Sequence, residues 1–157
     1  MPLMLRAVSR QSGEVQVRRL RPGDAASVAR LLEQLGYPAD EAEVRDRIED
    51  WAAHERGAAF GATVGDRLAG CAAIHVVPFF ERPGSRARLV ALVVDAGYRQ
   101  RGIGRLLVEH ARQFASRWGA AEIEVTSRRT RTDADRFYTE LGFTDVSDRS
   151  RRYTAEL

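Results

Sequence analysis

Residues 89–118 constrain the fold most, because the hydrophobic period changes within them. Leu89 to Val94 is a short apolar run with the length and β-branched content of a buried strand. Asp95-Ala-Gly-Tyr98 breaks it. Arg99-Gln-Arg-Gly-Ile-Gly104 then opens a segment whose apolar residues recur at helical spacing: Ile103, Leu106, Leu107, Ala111, Phe114 and Trp118. A strand that turns through glycines into a helix leaves the first-turn N–H groups unpaired. Those donors, the positive end of the helix dipole and the flanking arginines together make an anion site. Glycine at 102 and 104 lets a phosphate approach the backbone with no Cβ in the way.

The details choose among phosphate binders. A Walker loop requires Gly-x-x-x-x-Gly-Lys-Ser/Thr, and this chain contains no lysine. A dinucleotide fingerprint requires Gly-x-Gly-x-x-Gly, and Leu107 stands where its third glycine belongs. What remains is Arg99-x-x-Gly102-x-Gly104 directly after an apolar strand.

Around this centre the chain alternates strand-like and helix-like stretches. Glu14 to Leu20 alternates apolar and polar residues as a first strand does. Arg21-Pro-Gly ends it, and Asp24 is placed to cap a helix whose apolar face is Ala25, Val28, Leu31, Leu32 and Leu35, ending at Gly36. A second helix is expected over 41–54, with Val44, Ile48 and Trp51 on one face. Ala58–Val64 and Leu68–Val77 read as strands joined by the short hairpin connection Gly65-Asp-Arg67. Pro78 to Arg86 reads as an exposed loop carrying Phe79 and Phe80. Ala121–Thr126 is another alternating strand, 127–133 a polar arginine-rich loop, and 133–141 a short helix closed by Gly142. Phe143–Val146 and Ser150–Ala155 suggest a closing antiparallel pair. The order β-α-α-β-β-β-α-β-α-β-β, with hairpins and a β-α-β unit, implies an α/β fold: a mixed sheet with helices on both faces.

Composition excludes several classes. At 157 residues the chain is most simply one domain. Its one cysteine, Cys71, lies in an apolar run and reads as a small buried core residue. His54, His75 and His110 show no metal-ligand spacing, so no metal is expected. All 25 basic residues are arginine, but the 22 acidic residues are interspersed among them, which argues against a nucleic-acid arm. No apolar run approaches the ~20 residues of a membrane span. Residues 1–13 lack a secretory pattern and read as a flexible N-terminal segment, so the cytoplasm is the expected location.

The element order, the Arg99-x-x-Gly102-x-Gly104 loop after Leu92-Val-Val94, and Ala134-Asp-Arg-Phe137-Tyr138-Thr-Glu-Leu-Gly142-Phe143 together resemble the GNAT superfamily of acetyl-CoA-dependent N-acetyltransferases. Arg21-Pro-Gly-Asp24 before an amphipathic helix is also common there. The resemblance covers residues 14–157 as a single domain and implies a GNAT-type mixed, mostly antiparallel, twisted sheet with helices on both faces. It implies that backbone N–H groups of Gln100 to Arg105, spanning Arg101, Gly102, Ile103 and Gly104, cradle the coenzyme pyrophosphate beside Arg99. The exposed edge of Leu92, Val93 and Val94 would pair with the pantetheine amides, as an added strand does. The same resemblance places Phe137 at the coenzyme. It makes Tyr138 the proton donor to the coenzyme sulfur and the N–H of Leu92 or Val93 the oxyanion donor.

The chain also departs from the family pattern. Many relatives carry a glutamate near the position of Val90, which deprotonates the amine through water; here that base is missing. Glu124, Glu81 and His75 are the candidate substitutes. An acceptor amine of low pKa would need none. The loop Ser127–Thr132 has no asparagine, and Asp135 stands where some relatives have histidine. The implied activity is transfer of an acetyl group to a primary amine of a small molecule or peptide, with acetyl-CoA as cosubstrate, no metal and a homodimer as the expected assembly. The alternative is a GNAT-like module that binds acyl-CoA as a sensor without turnover. A basic nucleic-acid-binding protein is the third reading.

Overall fold

The alternating stretch after Gly13 forms the edge strand of a five-stranded sheet whose strands follow chain order, β1-β2-β3-β4-β5. The structure is a computed structural model that describes residues 13–128 and 132–157. Most of the terminal segment 1–13 and part of the loop 127–133 therefore lie outside the described residues. Two compact units divide the chain, one running to Val125 and one spanning Thr126–Leu157.

In the first unit β1 (Val15–Arg19) pairs antiparallel with β2 (Gly57–Val64), and β2 with β3 (Arg67–Pro78). β3 pairs antiparallel with β4 (Ser85–Val94), and β4 pairs parallel with β5 (Ala120–Val125). Between the first two strands lie α1 (Ala25–Leu35) and α2 (Glu41–Ala53); α3 (Ile103–Arg117) crosses from β4 to β5. The expected mixed, mostly antiparallel sheet is therefore present.

Neighbouring residues of a strand face opposite sides, and β3 uses both. Leu68 and Cys71, with Val93 of β4, pack with Ala25, Val28, Leu31, Val44 and Ile48 under α1 and α2. Gly70 faces α3: a Cβ there would meet Val93 O at 2.9 Å and Leu107 Cδ1 at 3.2 Å. Glycine at 70 thus lets α3 lie close on the sheet, and the Phe60 and Phe114 rings meet edge-on farther along that face. Helices cover both faces, as the pattern implied.

The structure corrects several local readings. β4 begins at Ser85, so the loop after β3 is shorter than Pro78–Arg86. Val77 pairs with Arg86, and Phe79 N–H donates to Gly84 O, with Gly84 at φ 99° making the tight return. Asp24 stands at the N-cap position of α1, as expected, but its side chain makes no cap bond. It ends a 3-10 turn, and its carboxylate instead receives both terminal nitrogens of Arg18, at 2.7 and 2.9 Å, and the Arg21 N–H. α3 begins at Ile103, the first residue of the expected helical periodicity, and a separate 3-10 turn at Ala96–Tyr98 with a looped segment precedes it.

The second unit holds α4 (Thr132–Glu140), closed by Gly142 at φ 86°. The closing pair expected over 143–146 and 150–155 is not formed; these residues carry a turn in which Arg149 N–H donates to Val146 O. Residues 144–157 are exposed throughout, Tyr153 among them. Alternation without an apolar face to bury supplies no drive for strand pairing.

Candidate active site

The site is built where β4 gives way to α3. β5 pairs with β4 only from Ser85 to Leu89, whose partner is the last β5 residue, Val125. Immediately afterwards Val90 forms a bulge: Leu89 pairs with Ile74 and Ala91 with Ala73, leaving Val90 extra and half exposed. A bulge bends its strand and sharpens the local twist. Ala91 to Val94 then pair with β3 alone among the described strands, so one edge of this stretch is left open to an extended ligand, apart from Val94 O, which accepts from Arg99 Nε. The sequence could require this parting of β4 and β5 but not exhibit it.

The glycine loop presents donors rather than side chains. Gln100 (φ 61°) and Gly102 (φ 80°) both adopt the left-handed conformation, one that backbone N–H concavities for anions use. Such a conformation is costly for glutamine, while nothing lies within 4 Å of where a Gly102 Cβ would stand. Backbone shape, not crowding, therefore calls for glycine at 102. The first helical bond of α3 is Leu106 N–H to Gly102 O, which leaves the N–H groups of Ile103, Gly104 and Arg105 without an acceptor inside the helix. No side chain caps this terminus and no acidic residue stands in its first turn. The arrangement fits a phosphate group.

The sequence-derived residues divide by what they can offer. Val93 and Ile103 are buried in the core, so only their backbones face a ligand, while Leu92, Val94 and Gly104 are half-buried. Arg99 is turned back, its Nε donating to Val94 O at 3.2 Å. The Arg101 guanidinium stacks 5.1 Å from the Tyr98 ring, and Arg105 is exposed. Cys71 is not a nucleophile: burial pushes its thiol up to about 12.

Two of the three candidate bases, His75 and Glu124, share one row of the sheet. Arg88 is the register partner of His75 on β3 and of Glu124 on β5. Glu124 is half-buried and engaged, with Oε1 3.0 Å from Arg88 Nη1 and Oε2 3.9 Å from Arg86 Nε. His75 meets the His54 ring at 4.8 Å and Trp51 at 6.3 Å, both edge-on. Burial, aided by repulsion from His54, lowers its pKa and favours neutral imidazole. Glu81 lies 4.0 Å from Arg82 in the hairpin, where the guanidiniums of Arg82 and Arg86 stand 4.0 and 5.3 Å from the centre of the Phe79 ring while Phe80 is fully exposed.

In the second unit Tyr138 lies on α4, half-buried, with its ring against Phe137 at 5.1 Å and Phe143 at 5.4 Å. The acidic residues at the start of α2 are largely structural. Asp40 caps the helix through the Glu43 N–H, and Glu41 and Glu43 pair with Arg45 and Arg47. A cavity of about 500 Å³ lies between α1 and α2, against Arg30, Glu33 and Pro38. Sequence reasoning missed Gln34, Arg67 and Asp95, which meet at the end of β4. Their positions are far apart in the chain and carry no shared motif.

Residues 25–143 match the Acetyltransferase (GNAT) family. The chain belongs to the GNAT family. GNAT enzymes use acetyl-CoA as cosubstrate, and the uncapped α3 terminus is suited to the anionic part of such a molecule. No curated protein matches this GNAT sequence. Its fold is similar to that of a transcriptional regulator from Bacillus halodurans, with a TM-score of 0.80 and 20% identity, covering 91% of this chain and 99% of that one. It is also similar to glucosamine-6-phosphate N-acetyltransferase from Arabidopsis thaliana (TM-score 0.76, 18% identity, 90% and 99% covered). A GNAT family acetyltransferase from Staphylococcus aureus gives 0.74 at 18% identity, with 91% and 98% covered. No described helix is long and apolar enough to cross a membrane, and no described group of histidine, cysteine and acidic side chains is arranged to hold a metal ion.

Proposed function

We propose that this protein transfers the acetyl group of acetyl-CoA directly to a primary amine of a small molecule or peptide. The observation that carries this reading is the pairing of two open backbone surfaces: the β4 edge from Ala91 to Val94 and the uncapped first turn of α3. The first suits the amides of a pantetheine arm, and the second its pyrophosphate. Amine acetylation is what the name of the Arabidopsis neighbour states for that protein.

Direct transfer requires a neutral amine, a stabilised oxyanion and a proton for the departing thiolate. The amine nitrogen bonds to the thioester carbon, the carbonyl oxygen takes up negative charge, and the carbon–sulfur bond then breaks. The N–H of Leu92 or Val93, beside the bulge, is the proposed oxyanion donor. Tyr138 is the proposed proton donor to sulfur, on the strength of its place in the family pattern from Ala134 to Phe143. His75 is the proposed base: its environment favours the proton-accepting form, whereas Glu124 is engaged by two arginines.

Val90 favours a second reading, an acyl-CoA sensor without turnover, because it leaves the bulge without a carboxylate. A thiol-release assay with acetyl-CoA against a panel of amines, run beside calorimetry, separates the two. Turnover on any amine supports the transferase, and Tyr138→Phe is then expected to lower its rate while acetyl-CoA affinity is kept. Binding with no turnover on any amine supports the sensor. An absence of acetyl-CoA binding overturns both.

A further inference from the structure

The 3-10 turn that carries the chain from β4 into the glycine loop is fastened from several directions. Asp95 is nearly fully buried, with 8% of its surface exposed. Its N–H donates to Ala69 O on β3, its Oδ1 accepts the Gly97 N–H at 2.9 Å, and its carbonyl accepts the Tyr98 N–H. Arg67, at the start of β3, brings a guanidinium within 3.7 Å of Asp95 Oδ2 and stands 5.8 Å from the Tyr98 ring.

The remaining fastening comes from a helix. Gln34, on the last turn of α1, accepts the Ala96 N–H through Oε1 at 2.9 Å. Its amide also favours the Asp95 carboxylate, which the Gly97 N–H, against the cost of burial, holds below its usual range. α1 does not need Gln34 to end, since its last turn is already closed by Gly36, whose N–H donates to Glu33 O and Leu32 O. The Gln34 side chain is exposed and spends its polar atoms on another element.

Beyond this turn the backbone is under strain. Gln100 is held at φ 61°, where an L side chain is disfavoured. A loop of this kind keeps its shape only where its surroundings over-determine it.

We propose that Gln34 is a positioning residue for the coenzyme: by holding Ala96 and Asp95 it fixes the start of the 99–105 loop in the geometry that receives the pyrophosphate. The inference rests on the reading of that loop as the acetyl-CoA site. It makes α1, which lines one wall of the α1–α2 cavity, a support of the coenzyme loop as well.

The test is calorimetry with acetyl-CoA on the full chain, comparing the wild type, Gln34→Ala, Asp95→Asn and the double variant, with thermal unfolding of each. Gln34→Ala is expected to weaken acetyl-CoA binding about tenfold, the scale of one hydrogen bond in a constrained network, with little change in melting temperature. In the Asp95→Asn background the same substitution is expected to cost less, because the two side chains act as a unit. Where turnover is measurable, KM for acetyl-CoA should rise with little change in kcat. Wild-type affinity in Gln34→Ala, or equal costs in both backgrounds, overturns the role of Gln34 and leaves the loop assignment standing. Failure of the wild type to bind acetyl-CoA overturns the loop assignment and this inference with it.

Discussion

Glu124 Oε1 lies 3.0 Å from Arg88 Nη1, so the carboxylate nearest the bulge on β5 is already committed to a cation. On the opposite side of Arg88 stands His75, whose neutral form is favoured by burial and by His54. The roles proposed for these two groups therefore separate experimentally. His75→Gln is expected to lower kcat/KM about a hundredfold, the scale of a lost general base. Glu124→Gln should change it only a few-fold. In the wild type the acid limb of the kcat/KM profile should have its midpoint below 6.5, and His75→Gln should remove it. Equal losses in the two variants would refute the assignment.

The same histidine makes stability depend on pH. Its folded-state pKa lies below the unfolded 6.5, so between those values the unfolded chain binds more protons. Its contribution is therefore neutral above about 6.5 and increasingly destabilising as pH falls to the lowered folded value. Melting temperatures of wild type and His75→Gln, followed downward from pH 8, should diverge only in that window.

Asp24 has the opposite sign. Its paired hydrogen bonds from Arg18 lead in holding its carboxyl below the ordinary 3.8, with burial opposing. The stability it contributes is present in full above that value and is lost as pH falls through the lowered folded one. Asp24→Asn should accordingly unfold at lower temperature than the wild type at pH 7, with the gap narrowing in strong acid.

The glycines predict distinct failures. Gly102→Ala forces a Cβ into a left-handed conformation at a cost of about 1 kcal/mol, and it should weaken acetyl-CoA binding by distorting the donors. Gly70→Ala meets Val93 O and the Leu107 side chain, so it should destabilise the fold by roughly 1–3 kcal/mol. Chemical denaturation and calorimetry distinguish them: the first variant loses mainly affinity, the second mainly stability.

Much of this was legible because local chemistry and tertiary demand agree. The helix ending at Gly36 and the strand leading into Gly102 carry their own punctuation, and periodicity gave the faces of α1 and α3. What stayed hidden was relational. The Arg86-Ala-Arg-Leu89 alternation marks the first half of β4, yet arginines facing outward beside Phe79 and Phe80 read as loop. The bulge left no trace, since Val90 lies inside an unbroken apolar run and only the β3 register exposes it as extra. The link from Gln34 to Ala96 joins residues that no spacing rule connects. Conversely, the tail beyond Phe143 looks strand-like by alternation but has no partner strand among the described residues.

Val90 has a consequence for how the sheet could close. β4 spends one residue more than β3 does over the same span, and this surplus falls where β5 lets go. A straight β4 would offer β5 a continuous ladder, and two strands with matching unpaired groups tend to zip. Deleting Val90 is therefore expected to heal the parting: β5 would extend its pairing past Leu89, and the sheet would gain hydrogen bonds and lose the opening proposed for acetyl-CoA. Hydrogen exchange at Ala91 to Val94 would register the closure as new protection.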